Sequence, residues 1–143
     1  MFSLDARLQQ DTLLLGDFPL SRLLLSNDAN YPWFILVPRQ AQVSELFDLD
    51  SEDQQQLWRE TSLLAERLGH SYGADKMNVA SLGNVVAQLH MHVIVRFKTD
   101  AAWPAPVWGK HQAVPYSADQ VLAIKARLQT LQIPELVLAG DAS

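Results

Sequence analysis

Apolar residues recur along the chain at two spacings, and the alternation between them predicts the elements. Residues 4–15 mix leucines with polar residues at a spacing that predicts a short helix, ended by Gly16, Asp17 and Pro19. Ser21 to Ser26 is a leucine-rich run that predicts a strand. The stretch Asn27-Asp28-Ala29-Asn30-Tyr31-Pro32 has turn chemistry. Trp33 to Val37 is continuously apolar and ends at Pro38, which predicts a buried strand paired with the one before it. Ser51 opens the clearest helix. Ser51 and Gln54 fit a capping box, Glu52 and Asp53 sit where the helix dipole favours acids, and Leu57, Trp58, Leu63, Leu64 and Leu68 follow at helical spacing. Gly69 and Gly73 mark its exit. Extended patterns follow over Lys76–Leu82 and Val85–Phe97, interrupted by Gly83-Asn84. The segment 100–109, with Trp103, Pro104, Pro106 and Trp108, fits neither a helix nor a central strand. Ser117 and Gln120 form a second capping box, opening a helix to about Leu131, and 133–138 reads as a tail strand or docking segment. Two strands, a helix, two strands and a helix predict an α+β fold with a mainly antiparallel sheet and two principal helices.

Composition narrows the class. With 143 residues, 48% of them hydrophobic and 19% charged, the chain suits one ordinary domain. We read it as a single unit over 1–143, with a core at about 20–100 and a C-terminal tail at 100–143 carrying the helix near 117–131. No apolar run approaches the ~20 residues of a membrane span. Cysteine is absent and residues 1–10 lack a signal-peptide layout, which together favour the cytoplasm. A net charge of −5 without a basic cluster argues against a nucleic-acid duplex as partner. It leaves room for a small anion held by local donors.

Chemistry concentrates in Gln88-Leu89-His90-Met91-His92. Side chains alternate along a strand, so Gln88, His90, His92, Ile94 and Arg96 share one face. Leu89, Met91, Val93, Val95 and Phe97 share the other, which is uniformly apolar and must lie on the core. Like-facing neighbours sit about 6.5–7 Å apart, which suits two imidazoles gripping one phosphate. Imidazole serves as nucleophile, acid–base group or metal ligand. Asn78, Gly83 and Asn84 precede the histidines. They offer amide donors and a close backbone approach to an anion. The pair by itself leaves three readings open: a phosphate site, a metal site and incidental surface histidines. His70 and His111 lie outside the strand, and no carboxylate pattern supplies a third metal ligand. Arg39, Arg96 and Lys76 are candidate phosphate attractants or else solvated or ion-paired. Trp103, Pro104 and Trp108 either line a ligand entrance or pin the tail.

The run from Lys76 to Ile94 resembles the signature of the histidine triad (HIT) superfamily, His-φ-His-φ-His-φ-φ with φ apolar. Pro32-Trp33-Phe34-Ile35-Leu36-Val37-Pro38-Arg39 resembles that family's second strand, which closes over the base and ribose of a nucleotide. The resemblance spans about Leu23 to Gly109. Asp100 with Trp103–Gly109 is similar to a bacterial branch. It implies an α+β homodimer that hydrolyses or transfers nucleoside monophosphate groups of a purine nucleotide or nucleotide conjugate, with no metal or other cofactor. By position it implies that His90 is the nucleophile and that His92 contacts the phosphate. Asn78 and Asn84 fall on phosphate-donor positions, and Asn27 or Asp28 on the ribose-binding position. Gln88 departs from the pattern at the first triad position, because glutamine cannot carry a proton near neutral pH. That implies lower activity or a restriction to good leaving groups. The alternatives are a nucleotide-binding regulatory protein with little turnover and a metal-binding protein.

Overall fold

The computed structural model describes residues 1–140. A six-stranded sheet is built from β1 (Thr12–Asp17), β2 (Ser21–Ser26), β3 (Trp33–Pro38), β4 (Lys76–Ser81), β5 (Met91–Arg96) and β6 (Val137–Leu138), in the order β4-β5-β3-β2-β1-β6. Every neighbouring pair is antiparallel. Three α-helices accompany it: α1 (Ala6–Asp11), α2 (Ser51–Tyr72) and α3 (Ala118–Leu131). The expected α+β class with two principal helices is thus what the chain adopts.

Helix α2 starts one residue earlier in its capping than the pattern suggested. Asp50, not Ser51, is the N-cap, and its carboxylate accepts the Asp53 N–H at 2.8 Å. The helix runs through Gly69 and ends at Gly73, whose φ of +63° is a left-handed conformation that favours glycine. Its buried face, Leu57, Leu64 and Leu68, lies against Leu23, Leu25, Phe34, Leu36, Met91, Val93 and Val95. Each of those three leucines is fully buried and contributes about 2 kcal/mol of apolar transfer. Polar Glu60 is buried in the same helix, and its carboxylate accepts the Leu20 and Ser21 N–H groups at 2.8 and 3.1 Å. It thereby seats α2 on the start of β2.

The N-terminal segment departs from expectation. The helix expected over 4–15 stops at Asp11, and Thr12–Asp17 is a strand paired with both β2 and β6. Gly16 is not a breaker. The register shifts between Leu14 and Gly16, and a Cβ at Gly16 would stand 2.5 Å from the Val137 carbonyl oxygen. Glycine is there because β6 approaches too closely for any side chain. The second extended stretch also shrinks, to Met91–Arg96, so that His90 lies just ahead of the strand.

The two faces of β5 divide as read, since Leu89, Met91, Val93 and Val95 enter the core with α2. The opposite face is nevertheless buried as well. Ile94 and Arg96 are 0% and 1% exposed, because the segment after β5 folds back over them with Ala102 and Val107. No helix among the described residues is long and apolar enough to cross a membrane.

Candidate active site

His90 and His92 stand together under this second layer, each 5% exposed. His92 is set by the sheet, opposite Ile35 of β3 and Ala80 of β4. His90 is set by the turn into β5, where the buried Leu89 anchors its backbone N–H to the Val43 carbonyl at 2.9 Å. The rings approach to 4.8 Å between centroids at 73°. That is closer than the strand repeat, so the two imidazoles lean toward one another.

Their partners assign the protons. His90 Nδ1 lies 2.7 Å from the Gln88 carbonyl oxygen, which can only accept, so Nδ1 carries the hydrogen and Nε2 the lone pair. His92 Nδ1 lies 2.9 Å from the indole Nε1 of Trp33, which can only donate, so here Nδ1 holds the lone pair and Nε2 the hydrogen. Two adjacent histidines therefore hold opposite tautomers, one with a nucleophilic nitrogen and one with a donor. Burial, reinforced by the neighbouring His90, brings the His92 pKa down to about 3. His92 is neutral across the physiological range.

Tryptophans frame the pair. Trp108 meets the His92 ring edge-on at 5.0 Å, and Trp33 lies 5.7 Å from both His92 and Trp108. The segment that carries Trp108 is tied down by a buried ion pair. Arg96 donates through Nε to Asp100 at 2.8 Å and through Nη2 to the Ala105 carbonyl at 2.8 Å. Burial works to raise the Asp100 carboxyl. Hydrogen bonds from Arg96 and from the Phe97, Ala102 and Trp103 N–H groups outweigh it and bring the pKa to about 2. The segment 100–109 thus both pins the tail and lines a cavity.

That cavity, of about 460 Å³, is lined by Ser26, Asn27, Asp28, Trp33, Trp108 and His111 among others. It lies in the size range of small-ligand sites. The Asn27 side-chain Oδ1 accepts the Tyr116 N–H at 2.9 Å, so its amide NH₂ is what it can offer a ligand. Asp28, 5% exposed, accepts from the Asn30 backbone and side chain through Oδ1.

The other expected residues fall elsewhere. Asn78 faces Ile94, and its amide oxygen accepts from Arg96 Nη1 at 2.7 Å, so it is committed to the Arg96–Asp100 cluster. Arg96 and Arg39 are likewise engaged within the protein. Arg39 pairs with Asp17 at 3.2 Å and donates to the Pro19 carbonyl. Gly83 and Asn84 lie in the loop before β5 and line a separate cavity of about 240 Å³ with Ser44, Glu45 and Ser81. The Gln88 side chain turns away to the N-terminal backbone, accepting from Asp5 N–H at 2.8 Å and donating to the Ser3 carbonyl at 2.9 Å. Among the described residues no three of His, Cys, Asp or Glu group as a metal site. Sequence reasoning missed Trp33 as the partner of His92. The signal was a tryptophan, the one side-chain hydrogen-bond donor on an otherwise apolar strand, but its partner depended on a register not yet known.

A single antiparallel sheet, backed by one long helix and carrying a buried histidine pair beside a nucleoside-sized cavity, defines the histidine triad class. The HIT domain family model matches residues 7–99, and the chain belongs to that family. A histidine triad protein from Marinobacter aquaeolei VT8 is 50% identical, with TM-score 0.92 over 96% of this chain and 99% of that one. Histidine triad proteins from Bradyrhizobium japonicum and Sinorhizobium meliloti 1021 are 46% and 42% identical, both with TM-score 0.88. They cover 90% and 91% of this chain and 96% of each relative. No curated protein matches. Family membership supports a nucleotide-directed function in the broad sense, binding or group transfer.

Proposed function

We propose that the protein is a nucleotide-phosphate hydrolase or nucleotidyl transferase, of the phosphoramidase or dinucleoside polyphosphate hydrolase type, working through a nucleotidyl-histidine intermediate. The observation that carries this is the opposite tautomers of His90 and His92. The His90 Nε2 lone pair attacks the α-phosphorus, an N–P bond forms, and the bond to the leaving group breaks with its electron pair. The leaving group takes a proton from water. The Gln88 carbonyl stabilises the imidazolium character that develops as Nδ1–H becomes more acidic. His92 donates through Nε2 to a non-bridging phosphate oxygen. Water, or an acceptor hydroxyl, then attacks phosphorus, the N–P bond breaks, and a proton passes to solvent.

The nucleoside, a purine in this reading, occupies the Asn27–Trp108 cavity, with its ribose hydroxyls at Asn27 and Asp28 and its base among Trp33 and Trp108. The protein acts in the cytoplasm as a homodimer. In support of the dimer, β4 is an edge strand that exposes Val79, with Leu82 and Val85 exposed in the loop beyond it.

Incubation with adenosine 5′-phosphoramidate and with a dinucleoside polyphosphate tests the reading. Released monophosphate that His90→Ala abolishes supports it, and an unchanged rate in that variant contradicts it. A second reading, a nucleotide-binding regulatory protein, draws on the engagement of Gln88 with the N-terminal backbone. It expects nucleotide binding without turnover.

A further inference from the structure

The first triad position is occupied by a side chain whose two amide ends are both spent on the chain's own N-terminus. Gln88 Oε1 accepts the Asp5 N–H at 2.8 Å, and its Nε2 donates to the Ser3 carbonyl at 2.9 Å. The pair of bonds brackets Leu4 and joins segments more than eighty residues apart in sequence. Only a primary amide of this length satisfies both. Glutamate has no donor, a neutral imidazole has one donor and one acceptor in a different geometry, and an aliphatic side chain has neither. Other contacts hold the same arm. The Leu4 carbonyl accepts from Gln9 Nε2 at 2.8 Å, and the Arg22 guanidinium lies 5.5 Å from the Phe2 ring. Phe2 and Leu4 pack on the cluster of Leu8, Leu24, Ile35 and Val37, together with Val86.

The position of the arm gives this clasp a consequence for the site. Ile35 is the sheet neighbour of His92, and Gln88 precedes His90 and accepts its Nδ1–H through the backbone carbonyl. Along the chain the order is Gln88, His90, His92. The Asn27–Trp108 cavity reaches the pair at the His92 end, through Trp33 and Trp108, and no residue of the arm lines it. The arm borders the pair at the Gln88 end. The cavity thus meets the histidine pair at the His92 end, while Phe2 and Leu4, packed beside Ile35, are tied to the same segment at its Gln88 end.

We infer that Gln88 is a positioning residue that clasps the N-terminal arm (residues 1–5), and that the clasped arm selects leaving groups by size. This rests on the nucleotidyl-transfer reading for its second half only. The first triad position then has a role that needs no proton transfer. Loosening the arm relaxes selection without adding chemistry.

The test uses amide hydrogen exchange and a pair of substrates, adenosine 5′-phosphoramidate and the bulkier adenosine 5′-tryptamine phosphoramidate. In Gln88→Ala the Asp5 amide exchanges much faster than in the parent protein, and Gln88→Glu, which keeps the acceptor, restores part of its protection. In Gln88→Ala, and independently in Leu4→Ala, the ratio of kcat/KM for the bulky over the small substrate rises severalfold, mainly through a lower KM for the bulky one. An Asp5 amide unaffected by Gln88→Ala overturns the clasp. Faster exchange with an unchanged substrate ratio overturns the selection. If the parent protein turns over neither substrate, the transfer reading fails and the selection falls with it, while the exchange measurement still decides the clasp.

Discussion

The indole Nε1 of Trp33 donates to Nδ1 of His92 across 2.9 Å, and this one bond decides which nitrogen of His92 faces a ligand as a donor. Without it the ring is free to take either tautomer. In Trp33→Phe the His92 ring divides between its two tautomers, and kcat/KM falls by about tenfold, since one oriented donor is lost only part of the time. Nitrogen-15 shifts of the His92 ring check the tautomer directly. A ring still wholly protonated at Nε2 in the variant contradicts the assignment.

The same burial makes stability pH-dependent. His92 is held near 3 in the folded protein against an ordinary value of 6.5, so the unfolded chain takes up a proton that the folded one refuses. Stability from this group is full above about pH 6.5 and is lost as pH falls toward 3, at roughly 1.4 kcal/mol per pH unit. Urea midpoints measured between pH 7 and pH 4.5 fall in the parent protein. In His92→Asn that fall is reduced.

Arg96 and Asp100 have side chains only 2% and 5% exposed, and breaking this pair strands a buried guanidinium. Asp100→Ala is expected to cost about 3–5 kcal/mol of unfolding free energy, read from urea denaturation. The loss should extend to nucleotide affinity, because the loop pinned by Asp100 carries Trp108. A variant with native affinity would separate the ion pair from the site.

Gly16→Ala places a methyl group 2.5 Å from the Val137 backbone oxygen, an atom that cannot turn aside. The expected outcome is loss of the β1–β6 pairing with β1–β2 retained. Hydrogen exchange would show the Ala139 amide, which donates to the Leu15 carbonyl, losing protection, while the amides of β2 keep theirs.

Much of the frame was legible because it depends on local rules. The leucine stripe of α2 and the capping box of Ser117 and Gln120 need only neighbours within a turn. The apolar side of β5 needs only alternation. What was hidden depends on distant chain. Leu13 to Leu15 suit a helix or a strand equally, and pairing with β2 decides for the strand. Arg96 and Asn78 have the composition of solvent or ligand contacts, yet the returning segment buries Arg96 and joins it to the Asn78 amide. Gln88 falls by alternation on the face of His90 and His92, yet its side-chain partners lie at the far end of the sequence. His90 and His92 were found from their spacing, whereas their opposite tautomers needed the positions of Trp33 and the Gln88 carbonyl.

The central claim is that His90 becomes covalently nucleotidylated, and trapping tests it most directly. The protein is mixed with excess adenosine 5′-phosphoramidate, quenched within the first turnover in alkaline denaturant, and weighed intact before peptide mapping. The account predicts an added adenylyl group on the peptide containing His90, absent from His90→Ala and more persistent in His92→Ala. Turnover with no adduct at any early time, or an adduct on another residue, would contradict it.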